Sequence, residues 1–262
     1  MTGRRRNRTH PFLDHPSPIA FAHRGGATDQ PENTMPAFEN AVALGYGYIE
    51  TDVHVTADGV LVAFHDSTLD RVTDKTGRIN DLTWTQVAQA RVVGIDGTNA
   101  SIPRFDELLD TFPDVRFNID PKEETSTEPL MQLLADRDCL ERVCVGSFSD
   151  GRLRRFAERF GNSICLGLGP RSIARLRFTS LVNRSGSYPG HIAQVPPSSR
   201  GIPIVDKRFV EAAHSAELEV HVWTIDDPEQ MHRLLDLGVD GVMTDRPRVL
   251  REVFMERGIW HG

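Results

Sequence analysis

Eight short runs rich in β-branched and aromatic residues, separated by stretches with helical periodicity, constrain this chain more than any other feature. They span residues 19–23, 48–55, 116–120, 143–147, 164–168, 191–195, 219–224 and 241–244. Between them, apolar residues recur three and four apart over 34–44, 128–136, 150–159, 207–216, 228–237 and 247–255. Gly45 and Gly238 follow the last periodic residue of two such stretches, where a left-handed closing residue is wanted, and Pro228 and Pro247 suit a first helical turn. Alternating strands and helices require parallel strands joined by right-handed crossovers. Eight units predict an α/β fold, a closed (β/α)8 TIM-like barrel, and 262 residues is close to the roughly 250 such a barrel takes.

Two regions break the rhythm. Nearly forty residues, about 66–104, carry polar turns and little strand pattern, which reads as a small insertion after the second strand, placed to cap the site. The segment 180–201 is a second irregular stretch. The barrel is expected to occupy 18–262 as one domain, preceded over 1–17 by a basic, disordered leader containing Arg4, Arg5, Arg6 and Arg8.

Charge and hydropathy exclude several classes of function. With 30 Lys and Arg against 37 Asp and Glu the formal charge is −7, which argues against general nucleic-acid binding. No run of 18 apolar residues exists, so no transmembrane segment is expected, and no apolar stretch follows the basic start as a secretory signal would need. Cys139, Cys144 and Cys165 form no C-x-x-C pair and lie in apolar surroundings, as buried thiols of a reducing compartment do. A cytoplasmic location follows as the expectation, with peripheral contact at a membrane surface left open.

In a barrel of this kind chemistry collects at the carboxyl ends of the strands. The first strand ends in His23 and Arg24 followed by two glycines, where the backbone can approach a ligand and a guanidinium can grip phosphate. In the second, alternation puts Glu50, Asp52 and His54 on one face. Two carboxylates so close repel one another unless a cation intervenes, and hard oxygen donors favour Mg²⁺ or Ca²⁺. A hairpin at Gly59 folds His65 back beside them. His23 and His65 thus form a pair able to take and give a proton. Asp120 and Lys122 end the third strand on one face, offering a third carboxylate and a cation, and Trp223 ends the seventh, where an indole can pack against a small ligand.

Taken in order, AHRGG at 22–26, PENT at 31–34, IETDVHVTADGVLVAFHD at 49–66, LDRVT at 69–73, NIDPK at 118–122, HVWTID at 221–226 and GVDGVMTDRP at 238–247 resemble the glycerophosphodiester phosphodiesterase family. The resemblance runs from about residue 18 to about 256. It implies a TIM-like barrel enzyme with one divalent cation, Mg²⁺ or Ca²⁺, that hydrolyses glycerophosphodiesters such as glycerophosphocholine to glycerol 3-phosphate and an alcohol. Carried over, His23 and His65 are the general acid and base, Glu50, Asp52 and Asp120 hold the metal, Arg24 and Lys122 bind phosphate oxygens, and Trp223 lines the glycerol pocket. Where the family usually has Glu-Leu-Lys this chain has Asp120, Pro121 and Lys122, one methylene shorter at the ligand position, which implies contact through water or a shifted metal. The rival enzyme is a lysophospholipase-D-like relative, which needs an apolar groove near the barrel mouth; residues 175–188 are the stretch to inspect. A barrel that binds phosphorylated ligands without turnover is the non-enzyme alternative.

Overall fold

Each of the eight apolar runs forms a strand, and neighbouring strands pair in parallel. The computed structural model describes residues 10–16, 18–95, 97–182 and 186–262. The barrel strands are β1 (Ile19–His23), β2 (Tyr48–Val55), β3 (Arg116–Pro121), β4 (Val143–Val145), β5 (Cys165–Leu166), β6 (Ile192–Val195), β7 (Glu219–Val222) and β8 (Gly241–Thr244). They follow chain order around the ring, and β8 returns to β1 with Gly241 opposite Ile19. The seam between β5 and β6 closes through Gly167 opposite Ile192, with the Leu168 and His191 amides donating to the Ile192 and Leu166 carbonyls, both at 2.8 Å. The architecture is a TIM-like barrel.

Helix starts are written locally. Pro occupies the first turn of Met35–Ala43, Pro170–Leu181, Pro228–Leu237 and Pro247–Glu256, where its missing N–H costs nothing. Ser149, Asp206 and Asp227 cap three helices by accepting from the amides of Arg152, Phe209 and Gln230. Gly238 closes Pro228–Leu237 at φ +85°, a conformation that excludes most side chains.

Strand alternation sets the layers inside the ring. Phe21, Tyr48, Cys144, Cys165 and Met243 fill the lower interior with apolar side chains. Two residues further along the same faces come His23, Glu50 and Asp245, so the interior turns polar at the carboxyl ends. A second apolar layer lies between strands and helices, around Phe38, Phe105, Phe117, Phe156 and Phe209.

The amino-terminal end corrects one expectation. The leader expected over 1–17 does not extend that far as free chain: Pro11–Leu13 forms a 3-10 turn with Phe12 and Leu13 buried among Ile19, Phe21 and Tyr48. Phe12 meets the Tyr48 ring edge-on at 5.3 Å, and the Tyr48 hydroxyl donates to the Phe12 carbonyl at 2.6 Å. Filling this space accounts for the difference, since burying such a side chain is worth about 1.5–3 kcal/mol. Arg4, Arg5, Arg6 and Arg8 lie outside the described residues.

After β2, Leu61–Ala63 folds back antiparallel, Val53 opposite Ala63, through a turn with Gly59 at φ +85°. Beyond it lie short helices and a two-stranded sheet, Arg91–Val93 with Asn99–Ser101, with a small apolar cluster of their own around Val62, Phe64, Leu69, Ile79 and Val92. The second irregular stretch holds the last turn of helix Pro170–Leu181 and, beyond β6, a hairpin of Ser198–Ser199 with Ile202–Pro203. In that helix Leu176 is buried, whereas Phe178, Leu181 and Val182 are exposed. A crossover helix runs back from the carboxyl ends of the strands, so Leu181 and Val182 lie away from the mouth. The apolar groove sought over 175–188 therefore does not open beside the polar ends of the strands. The three cysteines are free and buried, and among the described residues no helix is long and apolar enough to cross a membrane.

Candidate active site

His23, Glu50, Asp52 and Asp120 reach the mouth because each stands at an inward-facing position near the end of β1, β2 or β3. The parallel register puts Glu50 opposite His23 and Asp120 opposite Asp52. The His23 Nε2 is 3.6 Å from Glu50 Oε2, and its Nδ1 is 2.7 Å from Asp245 Oδ1, just past the end of β8. Burial pulls the His23 imidazole down, but Glu50 and Asp245 outweigh it and the net shift is upward.

His65 arrives by the hairpin. Its Nδ1 lies 2.5 Å from Asp66 Oδ1, and its backbone carbonyl accepts from His54 Nε2 at 3.1 Å. Burial is the main cause that lowers the His65 imidazole. Arg71, from the insertion, grips Asp66 through Nε at 2.5 Å and Glu32 through its terminal nitrogens at 2.7 and 3.2 Å. Against the upward push of burial, Arg71 and His65 hold the Asp66 carboxyl down at about 2.

Two cations sit among the carboxylates. Arg24, at φ +53°, donates to Glu32 at 2.9 Å and approaches Asp52 at 3.3 Å. The Lys122 ammonium bridges Asp52 at 2.8 Å and Asp120 at 3.0 Å. Burial would raise Asp52, yet Lys122 and Arg24 hold it below the usual carboxylate range. Glu50 lacks such close partners; burial first and the charge on Asp52 second push it up to about 7. Burial likewise raises Asp120, whose Oδ1 is buried with no hydrogen-bond partner among the described residues. Glycines make the close approach possible. A methyl group on Gly26 would lie 2.5 Å from Pro247, and the residue's φ is +100°.

Trp223 stands at the end of β7 and meets the exposed Phe148, from the loop after β4, edge-on at 5.7 Å. Inside the ring, Gln194 donates to Asn118 at 2.8 Å and lies against Gly146 and Gly167.

The structure thus gathers His23, His65, Arg24, Lys122, Glu50, Asp52 and Asp120 in one connected network, with Trp223 on the same rim. No group of three or more His, Cys, Asp or Glu is drawn together as a ready ligand set among the described residues. Lys122 holds Asp52 and Asp120 instead. The donors nevertheless suit a hard cation: Glu50 and Asp120 are raised chiefly by burial, with the charge of Asp52 adding to it, and Asp120 Oδ1 has no hydrogen-bond partner among the described residues. Residue reading overlooked Asp245, Asp66, Arg71, Glu32 and Asn33, which donates to Asp52 at 2.9 Å. Asp245 carried a usable signal as the first polar residue after an apolar strand. The others lie in loops, where no periodicity marks them.

Comparison with known proteins agrees with this geometry. The Glycerophosphoryl diester phosphodiesterase family model matches residues 23–249. "Probable glycerophosphodiester phosphodiesterase 2" of Mycobacterium tuberculosis is 37% identical over 257 residues, covering 96% of each chain. A glycerophosphodiester phosphodiesterase of Caldanaerobacter subterraneus is 30% identical over 253 residues, 92% of this chain and 99% of its own. The fold matches that of an Oleispira antarctica phosphodiesterase crystallised with the product sn-glycerol-3-phosphate, with a TM-score of 0.74 at 22% identity over 91% of this chain and 97% of that one. The family match, the length of these alignments and the strand-end cluster together place the chain in the glycerophosphoryl diester phosphodiesterase family, as an enzyme that hydrolyses phosphoric diesters.

Proposed function

We propose that this chain hydrolyses small glycerophosphodiesters to glycerol 3-phosphate and an alcohol, with His23 and His65 as the proton-transfer pair. The observation that carries the reading is the matched seating of the two imidazoles, each held through Nδ1 by its own carboxylate, Asp245 or Asp66, beside the buried Glu50–Asp52 pair. A carboxylate on Nδ1 fixes the ring and leaves Nε2 toward the reacting atoms.

In the reaction, one imidazole takes the proton of the attacking water as its oxygen bonds to phosphorus. The other protonates the alkoxide as the opposite P–O bond breaks. Arg24 and Lys122 offset the charge that grows on the phosphoryl oxygens. Glu50, Asp52 and Asp120 would hold a divalent cation, Mg²⁺ or Ca²⁺, whose chemistry is Lewis-acid polarisation of a phosphoryl oxygen. Lys122, which bridges Asp52 and Asp120, would turn to phosphate where those carboxylates hold the cation. Trp223 packs against the glycerol carbons.

The test is release of glycerol 3-phosphate from glycerophosphocholine, measured before and after a chelator and after Mg²⁺ or Ca²⁺ is returned. Loss and recovery support both parts of the reading. Chelator-resistant turnover removes the cation, and no turnover at all removes the chemistry. Lysophosphatidylcholine in a parallel assay separates the lysophospholipase D reading.

A further inference from the structure

The charge of the chain is unevenly spread. Residues 148–208 contain eleven arginines and lysines against three acids, a formal charge of +8 inside a chain of −7. This segment forms β5, β6, their helices and the mouth loops that follow β4, β5 and β6. Several of its basic residues are satisfied by acids, as Arg155 and Arg159 are by Glu128 and Arg177 is by Asp206. Those nearest the mouth differ. Arg171 and Arg200 are exposed, and neither guanidinium pairs with an acid among the described residues, while the Arg171 amide donates to Asp150 at 3.4 Å. Further down the helix that Arg171 begins, Arg175 donates to the Ser187 carbonyl and lies 4.3 Å over the Tyr188 ring.

Apolar tips stand among these charges. Phe148 is 66% exposed on the loop after β4, and Ile202 is 67% exposed on the Ser198–Pro203 hairpin after β6. Both belong to loops that leave the carboxyl ends of the strands, so they rise on the rim that holds Arg171 and Arg200. Along the helix Pro170–Leu181, Arg171, Ser172, Arg175, Ser187, Tyr188 and Pro189 line an open cleft of about 480 Å³. The opposite side of the mouth carries its cations already bound to Glu32, Asp52, Asp66 and Asp120.

We infer that the rim formed by the loops after β4, β5 and β6 docks onto an anionic lipid surface, with Phe148 and Ile202 entering the interfacial region and Arg171 and Arg200 facing lipid phosphates. Charge complementarity selects the partner, since free guanidinium groups on an acidic protein match negatively charged headgroups. The apolar tips favour lipid over a soluble polyanion, because a polyanion offers exposed Phe and Ile side chains nothing to bury against. Phe148 also meets Trp223 at 5.7 Å, so the variants chosen leave it in place, and binding is read without turnover.

The test is co-sedimentation of the full chain with vesicles of phosphatidylcholine alone and of phosphatidylcholine mixed with phosphatidylglycerol. Soluble glycerophosphocholine hydrolysis is measured in parallel. Binding is expected only with phosphatidylglycerol present, weakening with added salt. Arg171→Ser and Arg200→Ser should each lower the partition coefficient about fivefold. Ile202→Ser should lower it about tenfold, through lost apolar burial. All three variants are expected to hydrolyse the soluble substrate as the parent does. Equal binding to both vesicles, or unchanged binding by the variants, overturns the inference. So does capture by inorganic polyphosphate that Ile202→Ser leaves intact, which would make the rim a polyanion site. Loss of soluble turnover in these variants would assign the rim to substrate binding instead.

Discussion

His23 and Asp245 lie 222 residues apart in the chain and 2.7 Å apart across the β1–β8 seam, Nδ1 to Oδ1. The contact exists only because β8 closes on β1 with Ala22 opposite Thr244. It couples ring closure to the orientation of a reacting imidazole. Asp245→Asn keeps a polar partner but removes the charge and admits the wrong tautomer. Its kcat should fall about 10²-fold with KM little changed, the scale typical of an outer partner that orients a reacting group. Steady-state kinetics on glycerophosphocholine checks this, and a wild-type kcat would refute the role.

The histidines themselves should show a larger loss. His23→Ala and His65→Ala are each expected to reduce kcat by roughly 10²–10⁴, the usual contribution of a positioned acid or base. Both variants should still unfold cooperatively near the wild-type temperature, because the core around Phe21 and Tyr48 does not depend on either ring. Calorimetry beside the kinetics separates lost chemistry from lost fold. Full activity in either variant would end its assignment.

The strands were legible because burial on both faces writes a parallel strand as an apolar run, and the polar residue that ends such a run is conspicuous. His23, Asp120 and Trp223 stand out that way, and Glu50 and Asp52 by alternation within their strand. Helix Pro170–Leu181 does not stand out, since its buried face shows little beyond Leu176 among arginines at 171, 175 and 177. Phe12 and Leu13 looked like free chain because two apolar residues carry no period; only the closed ring gives them a space to fill. The bridge from Lys122 to Asp52 and Asp120 was equally hidden. Spacing told which face the three residues share, not which oxygen the ammonium would choose.

Arg71 ties the insertion to the mouth. It joins Asp66, the partner of His65, to Glu32, the partner of Arg24. Arg71→Met should leave the barrel folded and reduce kcat about tenfold, as both carboxylates lose the fork that fixes them. Arg71→Lys should restore only part of the loss, because a single ammonium does not reproduce the planar pairing. Activity equal to wild type in Arg71→Met would show that the insertion does not position His65.

The floor of the barrel predicts how stability depends on pH. His10 and His191 approach with ring centroids 5.6 Å apart. Burial lowers His10 below its ordinary 6.5, outweighing the upward pulls of the Ser163 backbone and Glu141. Burial also lowers His191, and His10 adds to it. The His10 Nδ1 accepts from the Phe12 amide at 3.1 Å, a bond that protonation of that nitrogen would break. In the unfolded chain both imidazoles take protons near pH 6.5, so acid favours unfolding. Their stabilisation is therefore complete above that value and is lost as pH falls toward the lowered folded pKa values. His23 acts in the opposite sense, since its raised pKa stabilises the fold most below 6.5. Comparing wild type with His10→Asn isolates the floor, because Asn can still accept from the Phe12 amide but does not titrate. Urea unfolding should show stability falling between about pH 7 and pH 5, and a shallower fall in His10→Asn. An identical fall in both proteins would mean that protons bind elsewhere.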